Sequence, residues 1–152
     1  MSDAEAERAV MKEPTTPVEQ RKLSMSSEDY LEAIYRIMSK SKDPEGVRSV
    51  DVADQMGVSK ASVNKAVSSL KEGGYVSQSH YGRIRLTETG AIYGAHTWRC
   101  HRMLRLFLER ELGVDPETAD AEACLMEHAL SHDTQVRWLR HLEKQGLTLE
   151  DE

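Results

Sequence analysis

Three groups of potential metal ligands stand out when the sequence is searched for side chains that could do chemistry. Asp29 and Glu32 are three residues apart, so in a helix both carboxylates would project from one face. Cys124, Glu127 and His128 follow an i, i+3, i+4 pattern, which would line them along one stripe of a helix. Carboxylate oxygens, imidazole nitrogens and a thiolate form a mixed ligand set suited to a divalent first-row metal.

His101 is the third contributor, and it stands alone beside the apolar residues 104–108. A single histidine in such a place is more often a hydrogen-bonded residue than a ligand. Asp29 and Glu32 could equally serve as partners of a helix N-terminus, and Cys124 could be a small buried hydrophobic residue. The groups predict a metal centre only if they meet in space, in which case one ion between three helices would couple metal binding to domain position.

A helix-turn-helix motif occupies the middle of the chain. Residues 49–56 predict a short helix, and Gly57 supplies a tight turn after it. Ser59 is a good N-cap for a second helix that runs to about Glu72. Two helices joined by a tight turn leave the second one free to enter the major groove of DNA.

The N-terminal turns of this second helix carry short polar and basic side chains. Such groups could reach base edges or phosphates, and the helix N-terminus itself attracts phosphate. For each residue taken alone, an ordinary role on a solvated helix surface is the alternative. The predicted DNA-binding residues of this helix are Ser59, Lys60, Ala61, Ser62, Asn64 and Lys65.

A basic hairpin follows the motif. Residues 75–79 and 83–87 alternate like strands around a tip at residues 80–82, which predicts the wing of a winged helix. Arg83 and Arg85 lie two apart on one strand, so they share a face and are predicted to contact the DNA backbone or a minor groove. The ordered combination of helix, glycine turn, helix and basic hairpin is more specific than any one of its parts.

The charge distribution supports this interpretation. The 152-residue chain has a net charge of −6, which by itself argues against a nucleic-acid partner. Residues 47–90, however, carry six basic and four acidic side chains, whereas residues 1–46 carry seven and ten, and residues 91–152 carry seven and twelve. A basic module flanked by acidic ones is typical of a protein that touches phosphate with one part only.

The predicted fold is mainly α, with an N-terminal winged helix-turn-helix domain and a C-terminal α-helical metal-binding and dimerisation domain. We expect a disordered tail at residues 1–24, the DNA-binding domain at residues 25–90, the second domain at residues 91–146 and a frayed tail at residues 147–152. These assignments follow from shifts in composition and from the positions of proline and glycine residues.

Outside the motif, the apolar spacing predicts four more helices. The first covers about residues 26–40, and a long helix covers residues 88–112. A third helix covers residues 116–131, with a proline at its first position. Asp133 is predicted to cap the last helix, which ends at Gly146.

Composition excludes several other classes of protein. No run approaches the ~18 apolar residues of a membrane span, and the N-terminus lacks the apolar region of a secretion signal. Two cysteines, Cys100 and Cys124, cannot form a disulfide framework, so a reducing cytoplasm is expected. Cys124 and His128 lack an accompanying oxyanion-forming glycine loop, which argues against a hydrolase. We therefore expect no enzymatic activity, no small-molecule substrate and no membrane partner.

The chain resembles the diphtheria toxin repressor family, the metal-dependent repressors of metal uptake. Residues 27–35 resemble the opening helix of that family, residues 98–104 its linking-helix histidine motif, and residues 122–131 its Glu-His metal motif. The order of elements over residues 26–143 is similar as well. In its length and its first-helix carboxylates the chain is closest to the manganese-responsive (MntR) type.

The resemblance implies a ligand set and two departures from it. Cys124 stands where the manganese sensors usually have a glutamate and the iron-sensing branch has a cysteine; a thiolate favours Fe²⁺, Co²⁺ or Zn²⁺, whereas hard carboxylates favour Mn²⁺. Arg105 stands where iron-type members use a glutamate for an ancillary metal, so we expect one strongly held ion. The ligands that the resemblance implies are Asp29, Glu32, His101, Glu127 and His128, with Cys124 as a further candidate.

Together these features predict a cytoplasmic homodimeric repressor that binds operator DNA when it is loaded with a divalent metal. Mn²⁺ is favoured, and Fe²⁺, Co²⁺ and Zn²⁺ are alternatives. A homodimer is expected because the apolar side chains of the C-terminal helices exceed what one small domain can bury. The alternatives are an iron-responsive regulator of the same family and a winged-helix regulator that senses an organic effector or thiol oxidation at Cys124.

Overall fold

The computed structural model describes residues 23–149, which form six helices and one two-stranded hairpin. In chain order the elements are α1 (Met25–Ser41), α2 (Ser49–Met56), α3 (Lys60–Glu72), β1 (Val76–Gln78), β2 (Ile84–Leu86), α4 (Glu88–Arg110), α5 (Pro116–Met126) and α6 (His132–Lys144). They belong to two compact units that divide between His96 and Thr97, inside α4. Most of the predicted tail, residues 1–22, lies outside the described residues.

The helix-turn-helix motif of the first unit forms as the sequence predicts. After α2, Gly57 takes the left-handed conformation (φ +66°) that residues with a Cβ rarely adopt, and this turns the chain toward α3. Ser59 caps α3, because its Oγ accepts a hydrogen bond of 3.1 Å from the backbone N–H of Ser62. The cap and the glycine are local signals, which is why both helices have the expected bounds.

One hydrophobic core joins α1 to this motif and to the hairpin. Leu31 and Ile34 of α1, Val63 and Val67 of α3, and Ile84 of β2 belong to a single buried cluster. All five side chains are at most 2% exposed. Because α1 and α3 share this close-packed core, a restraint on the position of α1 also restrains α3.

β1 and β2 form the predicted antiparallel hairpin, with Ser77 opposite Arg85. Its ladder covers residues 76–78 and 84–86, one residue less at each end than the sequence suggests. Thr87 leaves the ladder because its Oγ1 accepts a hydrogen bond from the backbone N–H of Gly90 (3.1 Å) in the first turn of α4. The strand therefore ends where the capping of the next helix begins.

Two glycines of α4 bring the beginning of this helix close to the rest of the first unit. A Cβ at Gly90 would collide with the carbonyl oxygen of Tyr75. A Cβ at Gly94 would lie 2.9 Å from the carbonyl oxygen of Leu31 in α1. The beginning of α4 thus packs on the first unit, and for this reason the units divide after His96 rather than at residue 90, where the sequence suggested a boundary.

Tyr93 of α4 connects the segment before α1 to the first turn of α1. Its hydroxyl donates a hydrogen bond of 2.9 Å to Glu28 Oε2 and accepts one of 2.9 Å from the backbone N–H of Leu23. Burial raises the pKa of Tyr93 above its ordinary value, so the hydroxyl stays a donor at physiological pH. Leu23 therefore belongs to the ordered structure, although the sequence placed it in the disordered tail.

The second unit contains the rest of α4 together with α5 and α6. Asp115 caps α5 and Pro116 stands at the beginning of that helix, as the sequence predicts. Ser131, not Asp133, caps α6, since the Ser131 Oγ accepts a hydrogen bond from the backbone N–H of Thr134 (3.2 Å). The prediction that α5 continues to Ser131 was also wrong: it ends at Met126, and residues 127–129 form a turn.

The segment after α6 is held more firmly than a frayed tail. The backbone N–H of Leu147 donates to the carbonyl oxygen of Leu142 over 3.0 Å, and the Leu149 side chain is buried. Residues 150–152 lie outside the described part of the chain. Within residues 23–149, no helix combines the length and the apolar character needed to cross a membrane.

The close approach of Gly90 to Tyr75 makes a prediction about stability. Substitution Gly90→Ala should lower the free energy of unfolding by about 2 kcal/mol, because the added methyl group must displace backbone and this outweighs the better helix propensity of alanine. The exposed neighbour Thr89 is a matched control, and Thr89→Ala should leave stability nearly unchanged. Urea unfolding followed by circular dichroism measures both. A Gly90→Ala protein more stable than the parent would contradict the packing described here.

Candidate metal centre and nucleic-acid interface

His101 lies on α4 in the second unit with a carboxylate at each ring nitrogen. Its side chain is buried; Nδ1 lies 3.0 Å from Glu127 Oε2, and Nε2 lies 2.8 Å from Asp120 Oδ1. The ring also stacks on Trp98, with centroids 5.5 Å apart and planes 13° from parallel. Sequence reasoning left open whether His101 is a lone core residue, and the structure places it among acidic groups.

Glu127 and His128 follow α5 directly. Glu127 is the C-cap of α5, with backbone angles that still have helical values, and its carbonyl oxygen accepts a hydrogen bond of 3.0 Å from Gln135 Nε2. Its carboxylate is almost completely buried, at 2% exposure for the residue. His128 Nε2 lies 3.4 Å from Glu127 Oε1. Two imidazoles therefore flank one buried carboxylate.

Cys124 joins the same group from the last turn of α5. Ligand atoms of Cys124, Glu127 and His128 all lie within 4.8 Å of one another. The predicted single helical stripe is only half right, because Glu127 and His128 lie just past the end of the helix. The i, i+3, i+4 spacing still brings the three side chains together, since Glu127 keeps helical backbone angles.

Asp120 is a member of this cluster that the sequence analysis missed. Its Oδ1 contacts His101 Nε2 and lies 3.7 Å from Arg105 Nη1 on α4. Asp120 precedes Cys124 by four residues, so the stripe could have been extended back to it along the helix. Its partners on α4 were not visible in the sequence, because they lie on another helix.

Asp29 and Glu32, the remaining predicted ligands, lie on α1 in the first unit. Glu32 is buried and Asp29 is half-buried. Their three-residue spacing places them on one face of the helix, as predicted. The neighbouring Glu28 is buried as well, and it is the acceptor of the Tyr93 hydroxyl described above.

The donor chemistry of the second-unit cluster fits a divalent transition metal. Carboxylate, imidazole and thiolate groups together match first-row ions rather than Ca²⁺ or Mg²⁺, which take oxygen ligands. A carboxylate as deeply buried as that of Glu127 requires a compensating positive charge. A cation beside it would supply that charge, and the two histidines are close enough to share the ion with it.

The predicted DNA-binding residues of α3 share an exposed surface at the N-terminal end of the helix. These are Ser59, Lys60, Ala61, Ser62, Asn64 and Lys65, all of which are exposed. The hydroxyl of Ser59 is already used as the helix cap and also donates to Ser62 Oγ over 3.0 Å. The two lysines and Asn64 therefore remain the longer polar side chains of this surface.

The wing arginines are held against the loop between α1 and α2. Arg83 Nη1 donates to the carbonyl oxygen of Gly46 (3.2 Å) and lies 3.6 Å from a carboxylate oxygen of Asp43. Arg85 Nε donates to the carbonyl oxygen of Glu45 (3.3 Å), and its side chain stays exposed. Both guanidinium groups thus stabilise the first unit, and this role was not expected from the sequence.

Tyr81 at the tip of the wing is a further exposed group that sequence reasoning did not select. It is 90% exposed and contacts the ring of His80 edge-on, with centroids 5.5 Å apart. An aromatic side chain this exposed on a hairpin tip can contact a surface presented by a partner. Its place within the predicted tip was the only signal in the sequence.

Two family descriptions match the chain in succession. "Iron dependent repressor, N-terminal DNA binding domain" matches residues 22–84, and "Iron dependent repressor, metal binding and dimerisation domain" matches residues 87–144. The first match contains α1 to β2 up to Ile84, and the second contains α4, α5 and α6. The two matches therefore correspond to the two domains that the sequence predicts, with a boundary near residues 84–87.

Similar proteins carry related descriptions. An uncharacterized HTH-type transcriptional regulator of Methanocaldococcus jannaschii is 34% identical over 122 residues, which cover 80% of this chain and 96% of that protein. The HTH-type transcriptional regulator MntR of Lysinibacillus sphaericus is 33% identical over 106 residues, covering 70% of this chain and 73% of the relative.

A solved structure has the same fold. It is described as a manganese-dependent transcriptional repressor in complex with manganese, and it matches with a TM-score of 0.65 at 29% identity. The match covers 77% of this chain and 52% of the solved chain, so this protein spans about half the length of that relative. With both family descriptions matched in order, the chain belongs to the iron-dependent repressor family of metal-binding, DNA-binding transcription regulators, and it is not an enzyme.

Proposed function

We propose that the protein is a cytoplasmic homodimeric repressor that binds operator DNA when it holds a divalent metal, with Mn²⁺ as the favoured ion. The observation that carries this proposal is the buried cluster around Glu127 in the second unit, where imidazole, thiolate and carboxylate groups converge. Metal-uptake genes are the proposed targets, by similarity to the manganese-responsive relative.

The proposed ligands come from both units. His101, Cys124, Glu127 and His128 would hold the ion from the second unit, and the carboxylates of Asp29 and Glu32 would complete its ligand set. When bound, the ion supplies the positive charge that allows these acidic groups to be close together. No one helix carries enough of the ligands to hold an ion strongly by itself.

The link to DNA binding runs through α1. This helix carries two of the proposed ligands and shares its buried core with α3 through Leu31 and Ile34. A restraint on α1 therefore fixes the pose of the helix that would read the major groove. In a homodimer, two such helices would have to match grooves ~34 Å apart. A coupling of a few kcal/mol gives a tens- to hundreds-fold gain in DNA affinity.

The identity of the metal depends on the balance between carboxylates and Cys124. Mn²⁺ is a hard ion and prefers the oxygen ligands of Asp29, Glu32 and Glu127, whereas the Cys124 thiolate favours Fe²⁺, Co²⁺ or Zn²⁺. An iron-responsive regulator is therefore the second candidate, and the position of the Cys124 sulfur near Glu127 and His128 is the observation that favours it. Arg105 places a positive charge near Asp120, which supports one ion per subunit rather than two.

The homodimer is supported by the second unit. Leu112 and Leu125 are large apolar side chains that are 61% and 63% exposed. Such exposure is typical of a surface that a second subunit covers. The family description of this region as a dimerisation domain points to the same conclusion.

Substitution of the central ligands tests the proposal. Glu127→Ala and His128→Ala should each abolish Mn²⁺-stimulated binding to a duplex selected from a random pool by the metal-loaded protein, because each removes a ligand of the ion. Fluorescence anisotropy measures DNA binding, and circular dichroism confirms that the fold is kept. Glu122→Ala, an exposed acidic residue on α5, is the matched control. A full response to Mn²⁺ in either ligand variant would refute the assigned site.

The role of Cys124 can be tested with Co²⁺ as a spectroscopic probe. Thiolate coordination should give a sulfur-to-cobalt charge-transfer band, and Cys124→Ser should remove that band. The same variant should weaken Co²⁺ and Zn²⁺ binding more than Mn²⁺ binding, since the lost ligand is soft. Cys100→Ser serves as control because Cys100 is buried on α4 and is not a proposed ligand. Equal spectra for the parent and Cys124→Ser would remove the cysteine from the ligand set.

The DNA-reading surface makes a separate prediction. Lys60→Ala and Lys65→Ala should each weaken binding to specific and non-specific duplexes alike, and each should reduce the slope of log affinity against log salt by about 1. Lys71→Ala, at the opposite end of the same helix, should leave the slope unchanged. If Lys71 matters as much as Lys60 and Lys65, the N-terminal end of α3 is not the end that approaches DNA.

A further inference from the structure

Asp120 is an acidic residue with contacts that the proposed ligand set does not use. Its Oδ1 lies 2.8 Å from His101 Nε2 and 3.7 Å from Arg105 Nη1. Its side chain is 59% exposed, whereas the side chains of His101 and Glu127 are 7% and 1% exposed. Asp120 therefore lies at the outer side of the His101 ring, and Glu127 lies at the inner side.

We propose that Asp120 is a positioning residue, which holds the N–H of His101 on Nε2 and so leaves Nδ1 as the nitrogen that binds the metal. This inference rests on the proposed function, because it concerns one ligand of the proposed metal. It adds a residue that neither the spacing of the motifs nor the family resemblance assigned.

The two ring nitrogens are not equivalent. A metal-binding imidazole uses one nitrogen for the ion and donates the N–H of the other to a carboxylate or a carbonyl oxygen, which fixes the orientation of the ring. Nδ1 lies beside the buried Glu127, itself a proposed ligand, and Nε2 lies beside the exposed Asp120. The carboxylate in the interior is thus the one that shares the ion, and the outer carboxylate accepts the N–H.

Two further groups restrict the ring. Trp98 stacks nearly parallel on the imidazole, which opposes rotation of the ring out of its plane. Arg102 in turn lies over the Trp98 ring, with its guanidinium carbon 5.5 Å from the centroid. The stacking fixes the plane of the His101 ring, and Asp120 then decides which nitrogen points to which side.

Arg105 limits where the Asp120 carboxylate can go. Its guanidinium is 3.7 Å from the oxygen that faces His101, an ion pair between partly exposed groups. Such a pair adds little to stability. It does place a positive charge at the outer side of the ring, which disfavours a metal at Nε2 and favours one at Nδ1.

Calorimetry on the full-length protein with Mn²⁺ alone tests the inference. Asp120→Asn should weaken Mn²⁺ binding about tenfold with an unchanged stoichiometry, which is the low end of the effect of losing such a partner. Glu122→Gln, an exposed carboxylate on the same helix, should bind Mn²⁺ as the parent does. His101→Ala sets the scale, because it removes the ligand itself and should cause a larger loss.

The double variant separates positioning from general damage to the fold. If Asp120 acts through His101, then adding Asp120→Asn to His101→Ala should produce no further loss of Mn²⁺ affinity. In the diamagnetic Zn²⁺-loaded protein, long-range proton–nitrogen correlation spectra should show the His101 proton on Nε2. That signal should change in Asp120→Asn and persist in Glu122→Gln.

The outcomes distinguish this inference from the proposed function. An Asp120→Asn protein that binds Mn²⁺ like the parent, while His101→Ala loses binding, overturns the role of Asp120 and leaves the metal site in place. A proton found on Nδ1 in the Zn²⁺-loaded parent overturns it as well. A His101→Ala protein with parental affinity would instead remove His101 from the ligand set, and the role of Asp120 with it.

Discussion

The burial of one carboxylate, that of Glu127, is the constraint on which the second unit depends. A buried negative charge is costly unless positive or hydrogen-bonding groups compensate it, and here two imidazoles approach its two oxygens. The backbone around it is fixed by the end of α5 and by the Gln135 side chain. Asp120 and Trp98 then orient the His101 ring around this charge. The cluster is therefore a set of groups arranged around a position where a cation is favourable.

In the first unit, α1 has two kinds of neighbour that matter for function. Its apolar side belongs to the core shared with α3 and the hairpin, and its acidic residues include the buried Glu28 and Glu32. The beginning of α4 approaches it so closely that glycine is required opposite the Leu31 carbonyl. A helix packed this tightly cannot shift by itself, so a ligand that restrains α1 restrains the DNA-reading surface as well.

Local signals in the sequence were sufficient for the helix-turn-helix motif, because a serine cap and a glycine turn define both of its helices. The clustering of Cys124, Glu127 and His128 also followed from spacing, since it is a property of one short segment. The end of α5 and the cap of α6 were predicted less well, because two histidines and Asp133 resemble a continuing helix while the structure uses Ser131 as the cap. Contacts between distant segments were not predictable at all: the partners of Asp120 lie on α4, and Arg83 bonds a loop far earlier in the chain.

The stacking of Trp98 on His101 gives the molecule an intrinsic optical reporter. The chain contains two tryptophans, and the other one, Trp138, packs edge-on against Phe107, 5.1 Å between centroids. Emission from an indole is sensitive to electron transfer to an adjacent imidazole, and that transfer changes when the imidazole binds a cation. The fluorescence of Trp98 should therefore follow occupancy of the site in real time and without an attached dye, once Trp138 is replaced by phenylalanine.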